Sequence, residues 1–173
     1  WARRTEPIPA QLEVVESPPT TLEIPGRPGQ PPLRLDQLAG KTAFFVVVGT
    51  WSAKSPEGEQ LNRALSRWEF PPDTLGFIVA DTAGLGLLSK QINAQMQSYA
   101  REVKVPLYLD YHGDFLEAFR LPKGHHGFVV LGPKGEILTR HSGDVDSAEL
   151  ARIRRLLGAK EPAPGPPMPQ LNE

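Results

Sequence analysis

Two stretches of this chain gather residues capable of chemistry. One is Trp51-Ser52-Ala53-Lys54-Ser55, with two hydroxyls directly after an apolar run; the other is Gly124-His125-His126-Gly127, two adjacent imidazoles between glycines. A serine hydroxyl becomes a nucleophile only beside a general base. No Asp or His stands close to Ser52 or Ser55 in sequence. The same hydroxyls serve ordinary structural ends, Ser55 as a helix N-cap and Ser52 as a small turn residue, and that is the reading adopted. Neighbouring histidines can bind copper, nickel or zinc. His112 and His141 are the only others, so carboxylates would have to complete a site. The sequence reading treats His125 and His126 as two partly exposed loop histidines and expects no cofactor or metal.

The elements around the first stretch are well marked. Thr42 to Val48 (TAFFVVV) is an almost unbroken apolar run, of the length and composition of a strand buried on both faces. Gly49 and Thr50 end it. Ser55 then reads as the N-cap, Pro56 as the first helical residue, and Glu57 and Glu59 as negative charge in the first turn. Leu61, Leu65 and Trp68 follow on one helical face. A strand running into a helix N-terminus presents free backbone N–H groups and a favourable dipole, a common seat of chemistry.

A strand followed by Thr-Trp-Cys-x-x-Cys, with Pro shortly inside a helix, is the active-site turn of the thioredoxin superfamily. The chain resembles its TlpA/ResA-like, peroxiredoxin-like branch. Ser52 and Ser55 stand where the family carries its redox cysteines, and the chain has no cysteine at all. The resemblance thus implies a thioredoxin-like α/β fold, a central mixed sheet flanked by helices, and removes the family's reaction. A thiol at a helix N-terminus becomes a thiolate near neutral pH, whereas a serine hydroxyl stays protonated and can neither exchange disulfides nor form a sulfenic acid.

The remaining elements suit that fold. Thr21 to Ile24 is strand-like, Leu33 to Lys41 resembles the family's lead-in to the first core strand, and Leu75 to Ala80 reads as the second core strand. Leu88, Ile92, Met96, Tyr99 and Val103 step round one face of an amphipathic helix. Val105 to Asp110 is a short strand and Gly113 to Phe119 a short helix. Phe128 to Leu131 and Glu136 to Thr139 form a hairpin across Gly132-Pro133-Lys134-Gly135. Asp146 with Glu149 is an acidic capping box, Leu150, Ile153, Leu156 and Leu157 form a buried face, and Gly158 is a natural stop. The alternation of strand and helix argues for right-handed crossovers.

The family places a cis-proline facing its cysteines, just before that hairpin. Gly124-His125-His126-Gly127 occupies this place, with His126 where the proline would stand. A cis bond before a non-proline residue costs about 3 kcal/mol, so the sequence predicts a trans peptide there. The substrate-docking edge is therefore altered together with the thiols. The related copper-carrying, Sco-like branch uses two cysteines and one histidine, and here the thiolates are missing.

Both ends of the domain carry proline-rich arms, residues 1–19 and 160–173, flanking a folded unit of 20–159. The prolines forbid a long helix or central strand and favour extended chain. The N-terminal arm bears Trp1, Ile8, Leu12, Val14 and Val15, and reads either as a flexible linker or as a segment lying against a protein partner. The net charge of −1 gives no sign of nucleic acid or an anionic membrane surface, and no stretch of about 18 apolar residues marks a transmembrane helix. A start at Trp1 without an initiator Met has two readings, a mature form whose signal or anchor was removed or a part of a longer chain, and either suits an exported protein. The expectation is a non-catalytic interaction or structural subunit of a larger extracytoplasmic, membrane-associated complex, with electron transfer as one setting. The alternatives are a metal- or ligand-binding module using the His125-His126 loop, or a thiol-disulfide oxidoreductase whose cysteines were changed to serine.

Overall fold

The computed structural model describes residues 21–26, 29–49, 56–84 and 105–165, together with Gln91, Ala94 and Ser98. The apolar run forms β3 (Thr42–Gly49), the middle of a five-stranded sheet. On one side it pairs in parallel with β4 (Thr74–Asp81), which pairs in parallel with β5 (Leu107–Asp110). On the other it pairs antiparallel with β6 (Gly127–Leu131), which turns back into β7 (Ile137–Ser142), giving the order β5-β4-β3-β6-β7. The hairpin carries a bulge at Val130/Leu131, and β7 begins at Ile137, one residue later than the sequence suggests. A two-stranded antiparallel piece, β1 (Glu23–Ile24) with β2 (Leu33–Arg34), lies by the β5 edge. There the Leu109 N–H donates to Pro25 O at 2.9 Å.

Alternation along β3 divides the core. Ala43, Phe45 and Val47 face a cluster with β1, β2 and the short helix α2 (Asp114–Ala118), where Phe45 lies against Phe77 and Phe115 at 5.3 and 5.2 Å between ring centres. Phe44, Val46 and Val48 face α1 (Glu59–Arg67) and α3 (Ser147–Leu156), with Leu61, Trp68, Ile153 and Leu157. Both faces are apolar because both are covered, as a parallel-sheet core requires. Gly76 is needed here: a Cβ would sit 2.4 Å from the Phe44 ring.

The N-cap and stop signals for α3 are realised, while the Glu149 carboxylate takes Arg152 at 3.3 Å instead of closing the expected capping box. Asp146 Oδ1 accepts from the Glu149 N–H at 2.7 Å. At the other end Gly158 takes φ 62, its N–H donating to Arg155 O and that of Ala159 to Arg154 O, which closes the helix as a Schellman motif. The chain then stays attached: Glu69 and Lys160 exchange backbone hydrogen bonds at 2.9 Å, and Arg154 pairs with Glu161. Gln91, Ala94 and Ser98 are helical and exposed; the apolar positions expected on the opposite face of that helix lie outside the described residues. So does the whole N-terminal arm, residues 1–19. Among the described residues no helix is long and apolar enough to cross a membrane.

Asp110 ends β5 and is buried, its carboxylate accepting the N–H groups of Phe115 and Leu116 at 3.2 and 3.4 Å. Burial pushes its pKa up, those two hydrogen bonds oppose the rise, and Asp81 and Asp114 add to it. A folded-state pKa above the unfolded value gives stability that is full below the ordinary carboxylate range and lost as pH rises through the folded value. Asp110→Asn keeps an oxygen acceptor and removes the buried charge. Thermal melts at about pH 7 should therefore show the variant more stable than the parent, the advantage shrinking as pH falls into the ordinary carboxylate range of about 4, below which the parent carboxyl is protonated in both states. A variant less stable at both pH values would contradict this account.

Candidate functional site

From the end of β3 the chain enters 50–55, so Trp51, Ser52 and Ser55 lie outside the described residues. Pro56 is described, and it is not helical. It sits in a bend, and α1 begins only at Glu59, with Gly58 as its N-cap and no side-chain cap. The capping role expected of Ser55 and the first-turn place expected of Pro56 are both displaced. The reason is Gly58, whose φ of 75 no right-handed helix can run through. Its conformation and its lack of a side chain are both required, because a Cβ there would lie 2.3 Å from Cγ of His126.

His126 departs from expectation as well. It is not a partly exposed loop residue but 2% exposed, its ring laid over Gly58. Its N–H donates to Glu57 Oε1 at 3.1 Å, and its carbonyl accepts from the Gly143 N–H at 2.8 Å. Nε2 lies 3.1 Å from Asn62 Oδ1, an acceptor, which assigns the proton to Nε2. Nδ1 is then a buried acceptor without a hydrogen-bond partner among the described residues. The Gly58 N–H donates to Asp144 Oδ1 at 2.8 Å, and Asp144 is held in turn by His141, whose Nε2 donates to the Asp144 carbonyl at 2.6 Å. His125 remains exposed, with Nδ1 3.2 Å from the same Glu57 oxygen. Among the described residues every peptide bond is trans, the one before His126 included, as predicted.

These contacts join three segments: the turn ahead of α1, the loop into β6 and the loop after β7. Glu57 does not act in the first turn of α1 as expected; it binds the histidine loop. Burial lowers the His126 pKa, against the raising effect of Glu57 and Asp144 and with a small lowering from His141, so its ring is neutral at pH 7. The two histidines point at different partners, Asn62 and Glu57, and do not converge as a ligand pair. Among the described residues no three His, Asp or Glu side chains are grouped to hold a metal ion. Sequence reasoning missed Gly58, Asn62 and Asp144 altogether; none carries a local signal for its role.

Comparison with known proteins bears on the fold. No protein-family profile matches the sequence, and neither does any curated protein. Solved structures do match. A thiol-disulfide isomerase from Corynebacterium glutamicum superposes with TM-score 0.59 at 15% identity, covering 84% of this chain and 97% of that one. A putative electron transfer protein from Aquifex aeolicus gives 0.58 at 15%, covering 83% and 93%. The exposed lipoprotein thioredoxin of Streptococcus pneumoniae gives 0.57 at 17%, covering 78% and 96%. The chain therefore has the thioredoxin-like α/β fold, without the cysteines of a thiol-disulfide enzyme.

The buried histidine sets a pH dependence. A folded-state pKa below the unfolded value leaves stability whole above about pH 6.5 and drains it as pH falls, because the unfolded chain takes up the proton first. The melting temperature should fall between about pH 7.5 and pH 5, with about 1 kcal/mol corresponding to roughly 2–8 °C. His126→Gln should start lower at pH 7.5, losing the packing on Gly58, and fall less over the same range. Parallel slopes for parent and variant would show that His126 does not carry the effect.

Proposed function

We propose that this chain is a redox-inactive thioredoxin-like module. It acts as a non-catalytic interaction or structural subunit of an extracytoplasmic, membrane-associated assembly, for which an electron-transfer complex is the candidate host. One observation carries the reading. The loop that in the resembling family faces the cysteines is tied to the α1 turn by Glu57, Gly58 and Asn62, in a chain with no thiol. An oxidoreductase merely changed from cysteine to serine would not need a second, internal occupant for that place. The setting is supported by the exposed lipoprotein and the putative electron transfer protein among the similar structures. In this reading the arm residues Trp1, Ile8, Leu12, Val14 and Val15 bind the partner. Prolines lower the entropy lost when an extended segment docks.

The chemical test is direct. Insulin reduction and peroxide consumption by the purified protein should match buffer, because each needs a thiol for a mixed disulfide or sulfenic acid. Turnover that persists after repurification would refute the reading. The second test is paired. Deleting residues 1–19 and 166–173 should leave the melting temperature within a few degrees, about 1 kcal/mol or less by the usual scaling, yet abolish co-purification with the host complex from native membranes. If trimming unfolds the domain, the arms belong to the fold instead.

A further inference from the structure

Away from the braced loop, a groove of about 500 Å³ runs between α1 and α3. Trp68, Ala64, Leu150 and Ala151 make it apolar, while Arg63, Arg67 and Arg154 stand along it with Glu161 as the single carboxylate among the described residues of its lining. In a chain of net charge −1 this is a local excess of positive charge. Two of the guanidinium groups are paired: Arg63 with Glu59, both 59% exposed, and Arg154 with Glu161 at 2.8 Å, 37% and 69% exposed. Ion pairs this exposed are worth little and exchange readily for a better-placed carboxylate. Arg67, on the same face one turn beyond Arg63, has no carboxylate partner among the described residues.

We propose that this groove docks an acidic segment of a protein partner, with an apolar side chain seated on Trp68 and carboxylates on the arginines. This deepens the interaction role proposed above and rests on it. The spacing supports it. Four residues of helix separate Arg63 from Arg67 by about 6 Å along the axis, and carboxylates two residues apart on an extended chain are about 6.6 Å apart on one side. A segment carrying Glu-x-Glu thus presents two carboxylates in register with Arg63 and Arg67, beside the apolar floor. Guanidinium groups bind carboxylates bidentately, and Trp with Arg are the residue types that dominate binding energy at interfaces.

The test titrates the full-length chain with a synthetic nine-residue peptide of alternating glutamates flanked by leucines, followed by amide and indole chemical shifts. The expected result is saturable shifts of the Trp68 indole and of α1 and α3. Binding should weaken about tenfold or more in Arg67→Glu/Arg154→Glu and vanish with the Glu→Gln peptide. Melts of the charge-reversed variant at the parent temperature would show that its fold is intact. Shifts scattered over the surface, or equal binding by the Gln peptide or the variant, would overturn the proposal. So would a dimer of the parent that the reversal dissociates, since the occupant would then be a second copy. Co-purification with the host complex separates the two levels. A charge-reversed chain that still co-purifies removes the groove and leaves the interaction role, whereas a parent chain that never co-purifies removes the role.

Discussion

Everything in this structure depends on a strand that has no wet face. From Ala43 to Val48 β3 alternates between two apolar clusters and is at most 6% exposed along its length. Neither side can be left open to water, so α2 and the β1–β2 piece must cover one and α1 and α3 the other. Parallel pairing with β4 then forces a crossover after β3, and antiparallel pairing with β6 brings the loop into β6 beside it. The place where the chain leaves β3 and the place where it enters β6 are neighbours for this reason alone, whatever residues fill them.

In an oxidoreductase of this fold that neighbourhood would be kept for thiols and a docked peptide. Here it is spent on internal contacts. Glu57 and Asn62 take the backbone and ring of His126, Gly58 yields space for the ring, and Asp144 takes the Gly58 N–H. The arrangement is not free of cost. An unpaired buried acceptor such as His126 Nδ1 is worth roughly 1–3 kcal/mol against folding. The neutral ring tolerates burial better than a charged one would. Asp110 at the end of β5 is a second buried polar group whose charge is opposed by its surroundings. Both stand near ends of sheet strands, where the sheet runs out and polar chain must be accommodated.

The interaction role and the groove meet in one physical point. In the proposed role the domain acts through its surface, and on the α1–α3 side arginines border an apolar floor. The braced loop lies at the N-terminal end of α1 while the groove follows its length. The two features therefore share a helix without sharing residues, save that Asn62 on the brace is followed directly by Arg63 of the groove.

Much of the fold was legible because its signals are local. The apolar run of β3, the capping pair Asp146 and Glu149 and the stop at Gly158 each depend on neighbours within a turn or on a period along the strand. The loss of thiol chemistry was legible from composition, and the trans peptide at His126 from the cost of the alternative. The site itself was not. The partners of the brace are 64, 69 and 86 residues apart, so no spacing pattern announces them. A histidine between glycines reads as loop, and it is buried only because the sheet brings it over Gly58. Gly58 leaves room for the ring and, with its left-handed φ, holds the start of α1 at Glu59 rather than Pro56. Sequence determined which segments are strand and helix and that no thiol could act. Tertiary structure decided how the His126 loop is held, because the distances that decide it exist only once β3, β6 and α1 have packed.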